Sequence, residues 1–199
     1  MDYSPRALWR LVELGAHDEV LRSNTFWMCT ACYSCTVRCP RDIPISESMR
    51  QLRELYIQQE VGPLQGGLSA ILDAVDSVHN IANEPNETRL IWSENLPERP
   101  ANLDARQAEV LYFVGCVGAL FPQTYGIPQS FVQIMEQADV DYAVLGGEEW
   151  CCGYPVYGAG MKSRLREIAE HHCARLADTG ARLLATTCLL YTSPSPRDS

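Results

Sequence analysis

Over the first 60 positions, apolar residues recur at helical spacing. Leu8, Leu11, Val12 and Leu14 share one face behind Ser4-Pro5, a cap followed by proline at the first helical position. This predicts a helix from about Pro5 to Leu14, ended by Gly15, and a short second helix over 17–22. Met49, Leu52, Leu55, Tyr56 and Ile57 repeat at close to 3.6 residues, predicting a helix over 47–59 capped by Ser46. Residues 68–81 read as another helix. The stretch 83–102, polar and broken by Pro85, Pro97 and Pro100, reads as a linker.

From Glu109 the period changes. Val110 to Val114 is a short apolar run of buried-strand type that ends at Gly115-Cys116. A helix over 129–138, a strand over 142–145, a helix over 161–176 and a strand over 182–186 follow. In the second helix Leu165, Ile168, Ala169, Cys173 and Leu176 supply the apolar positions, which predicts core packing for Cys173. Strand and helix alternating at this spacing predict a parallel sheet with right-handed crossovers. The expected class is α+β: a small helical domain over 1–60, a helix and linker over 61–108, and an α/β parallel-sheet domain over 109–187.

Composition narrows the function. The chain has 199 residues, 46% of them hydrophobic, and a net charge of −9. Such a balance without a basic stripe argues against nucleic acid. No apolar run approaches membrane-spanning length and no secretory leader is visible, so a cytoplasmic setting is expected, with membrane association only through partners. Nine cysteines without an export signal read as metal ligands rather than disulfides.

Four of them, Cys29, Cys32, Cys35 and Cys39, stand as C-x2-C-x2-C-x3-C with Pro40 directly after. Two-residue gaps let thiolates curl round one small face, as a cubane [4Fe-4S] cluster requires. A zinc site more often uses two separated C-x2-C pairs; a zinc-stabilised interaction module without redox work is the contrasting reading. In two-cluster ferredoxins the fourth cysteine of such a run serves the other cluster. Cys39 therefore either closes a single four-cysteine site or points to a second motif upstream of Met1, and an N-terminal truncation is the expectation. Trp27 is expected to shield the cluster from water.

A second group lies at the predicted strand ends, where ligands collect on parallel sheets. Cys116 follows the first strand, Cys151-Cys152 the second, and Cys188 the third. Adjacent thiols cannot both face inward on a strand but can on a turn, which Gly153 permits. Inert buried cysteines are the alternative, and convergence on one sheet edge argues against it. Glu148 and Glu149 could carry protons there, against a solvated loop as the default. Gly158-Ala159-Gly160 lacks the lysine of a phosphate loop and reads as flexible. His171 and His172 read as exposed helix residues.

The pattern C-x34-C-C-G-x34-C resembles the cysteine-rich CCG domain of heterodisulfide reductases and related iron–sulfur oxidoreductases. Phe26-Trp27-Met28 before the first motif and Arg41 after Pro40 resemble the second ferredoxin motif of the electron-transfer subunit of these reductases. The resemblance runs from about Met1 to Thr187, as a fusion of the two. It implies a second, non-cubane [4Fe-4S] cluster held by Cys116, Cys151, Cys152 and Cys188 and used for disulfide reduction. Cys116, Cys151 and Cys152 would then be catalytic, and other redox subunits and a disulfide or electron carrier would be the partners. A similar domain pair occurs in iron–sulfur subunits of glycolate, lactate and glycerol 3-phosphate dehydrogenases, which feed quinone. The sequence departs from the pattern at Tyr191, where the closing C-x-x-C needs cysteine, and in having a single CCG copy. Residues 188–198 can be back-translated to a string that resembles a sequencing-library adapter, so residues 188–199 are expected to be foreign and the chain a piece truncated at both ends, inactive alone, with Cys188 matching by coincidence of the junction.

Overall fold

The computed structural model describes residues 2–64 and 66–188. In chain order the elements are α1 (Pro5–Glu13), α2 (His17–Arg22), α3 (Ser34–Val37), α4 (Ile45–Gln58) and α5 (Leu68–Val78). A 3-10 helix, Asn86–Ser93, precedes β1 (Val110–Phe113), α6 (Gly115–Leu120), α7 (Gly126–Gln137) and β2 (Tyr142–Val144). The order closes with α8 (Tyr154–Gly158), α9 (Lys162–Thr179) and β3 (Leu183–Thr186). Mostly helical, with one small parallel sheet, the chain is α+β. Two compact units divide it: residues 1–69 with 155–163, and 70–154 with the chain from 164 onward.

The first unit packs α1, α2 and α4 around Leu8, Val20, Leu21, Phe26, Met49, Leu52 and Tyr56. α1 starts where the sequence places it, with Ser4 Oγ accepting from the Ala7 N–H at 3.2 Å. α4 starts earlier than expected. Pro44 precedes it, and Ser46 lies inside the first turn, its N–H donating to Thr36 Oγ1 at 3.1 Å. Ser46 ties the cysteine loop to α4 instead of capping the helix. Leu55, counted on the apolar face, is exposed.

Residues 155–163 cluster with this unit. The expectation of a flexible loop at 158–160 is corrected: Ala159 is buried, and Gly158 O accepts from Arg53 Nη1 at 2.7 Å. Gly160 has φ +84°, and a Cβ there would stand 2.7 Å from the Glu54 backbone nitrogen. This glycine lets the segment lie flat on α4.

In the second unit the sheet order is β2-β1-β3, all parallel, with Val110 opposite Tyr142 and Leu183. Tyr112, Val114, Val132, Met135, Tyr142 and Val144 form its core with α7. Parallel strands bring every carboxyl end to one edge. The largest departure from the sequence reading is at 83–102. Residues 86–93 form a 3-10 helix, and its Trp92 is fully buried in the sheet core. Cys173 is a second correction: it is exposed, because α9 buries Ile168 and Thr179 instead. No helix among the described residues is long and apolar enough to cross a membrane.

Candidate functional site

The first group of thiols stands on the loop from Cys29 to Cys39. Left-handed residues Ala31 and Tyr33 coil this loop, and α3 carries Cys35. Cys32 and Cys35 are exposed, Cys29 and Cys39 half-buried. Arg53 on α4 anchors the loop's entry, donating to Phe26 O at 2.7 Å and Cys29 O at 2.6 Å. Trp27 packs edge-on against Tyr56 at 5.3 Å beside Cys29. Four thiols on one short coiled loop suit an iron–sulfur group in donor type. Among the described residues, however, no three Cys, His, Asp or Glu side chains stand as a ready metal cage.

The second group is tighter. Cys116 enters from the first turn of α6, after β1, and Cys151 and Cys152 from the turn after β2. Cys151 and Cys116 are buried. The Cys151 N–H is pinned by His79 O at 2.7 Å. Gly153 turns the chain at φ +84°, where a Cβ would meet Leu165 at 2.6 Å. The Cys151 thiol hydrogen-bonds both neighbours, which favours the proton on Cys151 over Cys116 and Cys152. Cys116 falls to about 6 mainly through that bond, opposed by burial and aided by Arg89. Cys152 falls to about 7 by the same bond, and Cys151 is pushed up. Iron binds thiolates, so these donors suit a cluster in type, though here too no three of them stand as a ready metal cage. Cys188, half-buried, follows β3 at the same edge, its N–H on Thr186 Oγ1 at 3.2 Å. Tyr191 and the rest of the tail lie outside the described residues.

Around the thiols stand groups that the sequence reading missed, Arg89 above all, or assigned to the surface. Arg89, only 1% exposed, pairs with Glu149 at 3.0 Å and reaches Cys116 Sγ at 3.2 Å. Glu149 is no solvated loop residue: it is 2% exposed and accepts from the Val114 and Gly115 N–H groups at 2.9 and 2.8 Å. Burial lifts its carboxyl to about 7, against Arg89 and those two donors. Glu148 is exposed and pairs with Arg175. Trp150 is stacked between His79 at 3.8 Å and His171 at 3.7 Å. The expectation of exposed histidines fails for both: His171 and His172 are half-buried, and His172 has Nε2 3.2 Å from Cys151 O and Nδ1 unpartnered. A cavity of about 320 Å³ opens beside Cys152, lined by Phe113, His172, Cys173, Leu176 and Leu184 among others. The missed signal was a period of three. Asn86, Arg89 and Trp92 recur at the pitch of a 3-10 helix and so share one face.

Residues 110–190 match the CCG cysteine-rich domain. The chain is 28% identical over 163 residues to a dihydromethanophenazine:CoB–CoM heterodisulfide reductase subunit of Methanosarcina barkeri. That match covers 80% of this chain and 38% of the relative. A CoB–CoM heterodisulfide reductase iron–sulfur subunit of Methanocaldococcus jannaschii is 46% identical over 57 residues, 29% of this chain and 30% of the relative. An EtfAB:quinone oxidoreductase of Syntrophomonas wolfei is 22% identical over 174 residues, 85% of this chain and 24% of the relative. The chain thus spans well under half the length of each of these relatives. No solved structure matches. The chain carries a CCG cysteine-rich domain and is homologous to heterodisulfide reductase subunits and other iron–sulfur oxidoreductases. Those relatives are by name oxidoreductases, two of them reductase subunits.

Proposed function

We propose that the chain is the electron-transfer and catalytic part of a heterodisulfide reductase-type complex. In this reading Cys29, Cys32, Cys35 and Cys39 hold a cubane [4Fe-4S] cluster, and Cys116, Cys151 and Cys152, with Cys188, hold a second, non-cubane one. When bound, the clusters supply single electrons, two of which, with two protons, convert a disulfide to two thiols. The observation that carries the reading is the row of three hydrogen-bonded thiols, Cys116, Cys151 and Cys152, at the carboxyl edge of a parallel sheet. Around it the chain's own residues exclude water and fix position. Glu149 holds the turn before Cys116 through two backbone N–H groups, and His79 O holds Cys151. The apolar cavity beside Cys152 offers a disulfide a way in. The partners in this reading are redox subunits and a disulfide substrate or electron carrier, in the cytoplasm.

The test is anaerobic reconstitution of the full chain with iron and sulfide, followed by oxidation of a reduced dye in the presence of its redox partners. A brown protein absorbing broadly near ~400 nm, with dye oxidation driven by a disulfide and lost in Cys116→Ser, is the expected result. A colourless, zinc-loaded protein overturns the reading. A second reading, electron transfer toward quinone as in a dehydrogenase complex, is favoured by the likeness to the EtfAB:quinone oxidoreductase. Dye oxidation that responds to a quinone and to no disulfide selects it.

A further inference from the structure

We propose that Arg89 sets the reduction potential at the CCG site by donating a charge-assisted hydrogen bond to Cys116. The inference rests on the reading of Cys116, Cys151 and Cys152 as cluster ligands, and it assigns a positioning role to a residue outside the cysteine pattern.

Arg89 sits where a cation is costly, at 1% exposure. A buried guanidinium persists when its donors are all directed at partners. Its Nε donates to Asn86 Oδ1 at 2.9 Å, its Nη1 to Glu149 Oε1 at 3.0 Å, and its Nη2 to Cys116 Sγ at 3.2 Å. The two oxygen acceptors are themselves fixed. Glu149 also accepts from Val114 and Gly115, and Asn86 Nδ2 donates to Gly147 O at 2.6 Å and Glu149 O at 2.9 Å. The planar fork is therefore held at both ends and cannot swing away from the sulfur. The 3-10 turn supplies this geometry, because Asn86 and Arg89 lie one turn apart on one face.

A group whose sole work was to neutralise Glu149 would need no arm on a thiol. A hydrogen bond from a cation to a ligand sulfur stabilises whichever form of the site carries more negative charge. The reduced form gains more than the oxidised form, so the potential rises. Arg89 and an ionised Glu149 offset each other's charge. What the site feels is the asymmetry of the pair, with the guanidinium in contact with Sγ and the carboxylate turned toward the backbone of Val114 and Gly115.

That asymmetry makes the test clean. The double variant Arg89→Met/Glu149→Gln removes both charges at similar volume, a change that buried pairs often tolerate. Arg89→Lys keeps the charge and loses the fork. Each full-length variant is reconstituted anaerobically, and iron content and potential are measured by titration under electron paramagnetic resonance. The signal of this site is identified as the one lost in Cys116→Ser. The expected result is unchanged iron and a lower potential in the double variant. The reduced-to-oxidised ratio should fall about tenfold, or ~59 mV for a one-electron couple. Arg89→Lys should shift it in the same direction by less. Unchanged iron with an unchanged potential in either variant would make Arg89 a structural strut and overturn the inference while leaving the proposed function intact. If the double variant does not fold, Arg89→Lys alone decides between these two results. A wild-type protein with no signal sensitive to Cys116→Ser removes the proposed function, and this inference with it.

Discussion

Tyr112 shows how much one buried polar atom can govern. It is fully buried in the sheet core, and its hydroxyl shares a 2.8 Å hydrogen bond with Thr187 Oγ1. Burial, with the Glu149 charge adding to it, lifts its pKa to about 12 despite that bond. The neutral phenol is therefore favoured in the folded state over the unfolded one. Its contribution is fully present below pH ~10, the unfolded value, and is lost as the pH climbs from ~10 to ~12. Denaturant titrations of the full chain should show stability falling across that window, by up to roughly 3 kcal/mol from this residue. Tyr112→Phe should remove this residue's share of that slope and leave the share of Tyr142, whose phenol burial and Glu136 also push up; an unchanged slope would assign it to other groups. Arg53 is the corresponding case in the first unit. It donates to the carbonyls of Phe26 and Cys29, so Arg53→Ala leaves those acceptors without their charged partner. We expect a cost of about 1.5–3 kcal/mol and, on the proposed reading of this loop as a cluster site, faster iron loss from the reconstituted protein to a chelator.

At the scale of elements, sequence and structure part company most at residues 86–93. The helices and strands with a two-sided apolar pattern were legible: α1 with its Ser4 cap, α2, the three strands and their parallel order all lie where periodicity puts them. So were the three strand ends that carry cysteine. The 3-10 helix was not, because its pitch of three matches neither the helical nor the strand period and its prolines argued for a linker. Its buried residues are also unlike a core pattern: Arg89, Trp92 and Ser93. Arg89 is intelligible only once Glu149 and Cys116 are in place around it, and those lie far away in sequence. The element's worth can be measured through Trp92, which is fully buried and joins the sheet core. Trp92→Ala should destabilise the second unit by about 3–5 kcal/mol. Unfolding followed by hydrogen exchange should show β1 and α7 losing protection, while α1 and α4 keep theirs.

Among the described residues the core built on α1, α2 and α4 and the core built on the sheet and α7 share no residue. Their boundaries do not follow the chain. Residues 155–163 fall between the CCG turn and α9 in sequence yet cluster with the first unit. Among the contacts that hold them there are Gly158 O on Arg53, the Arg50 guanidinium over the Tyr157 ring at 4.0 Å, Lys162 on Glu54 at 2.9 Å, and the close approach of Gly160 to the Glu54 backbone. The salt bridge is largely exposed on the lysine side and contributes little. The close approach is the sensitive point, since Gly160 combines φ +84° with a neighbour that is backbone and cannot rotate away. Gly160→Ala therefore pays twice, in backbone strain and in overpacking, by roughly 1–3 kcal/mol for each. The loss should appear in the first unit: amide exchange should speed up along α4, while β1, β2 and α7 stay protected. Loss of protection confined to the sheet would mean that 155–163 belongs with the α/β core, as its place in the sequence suggests.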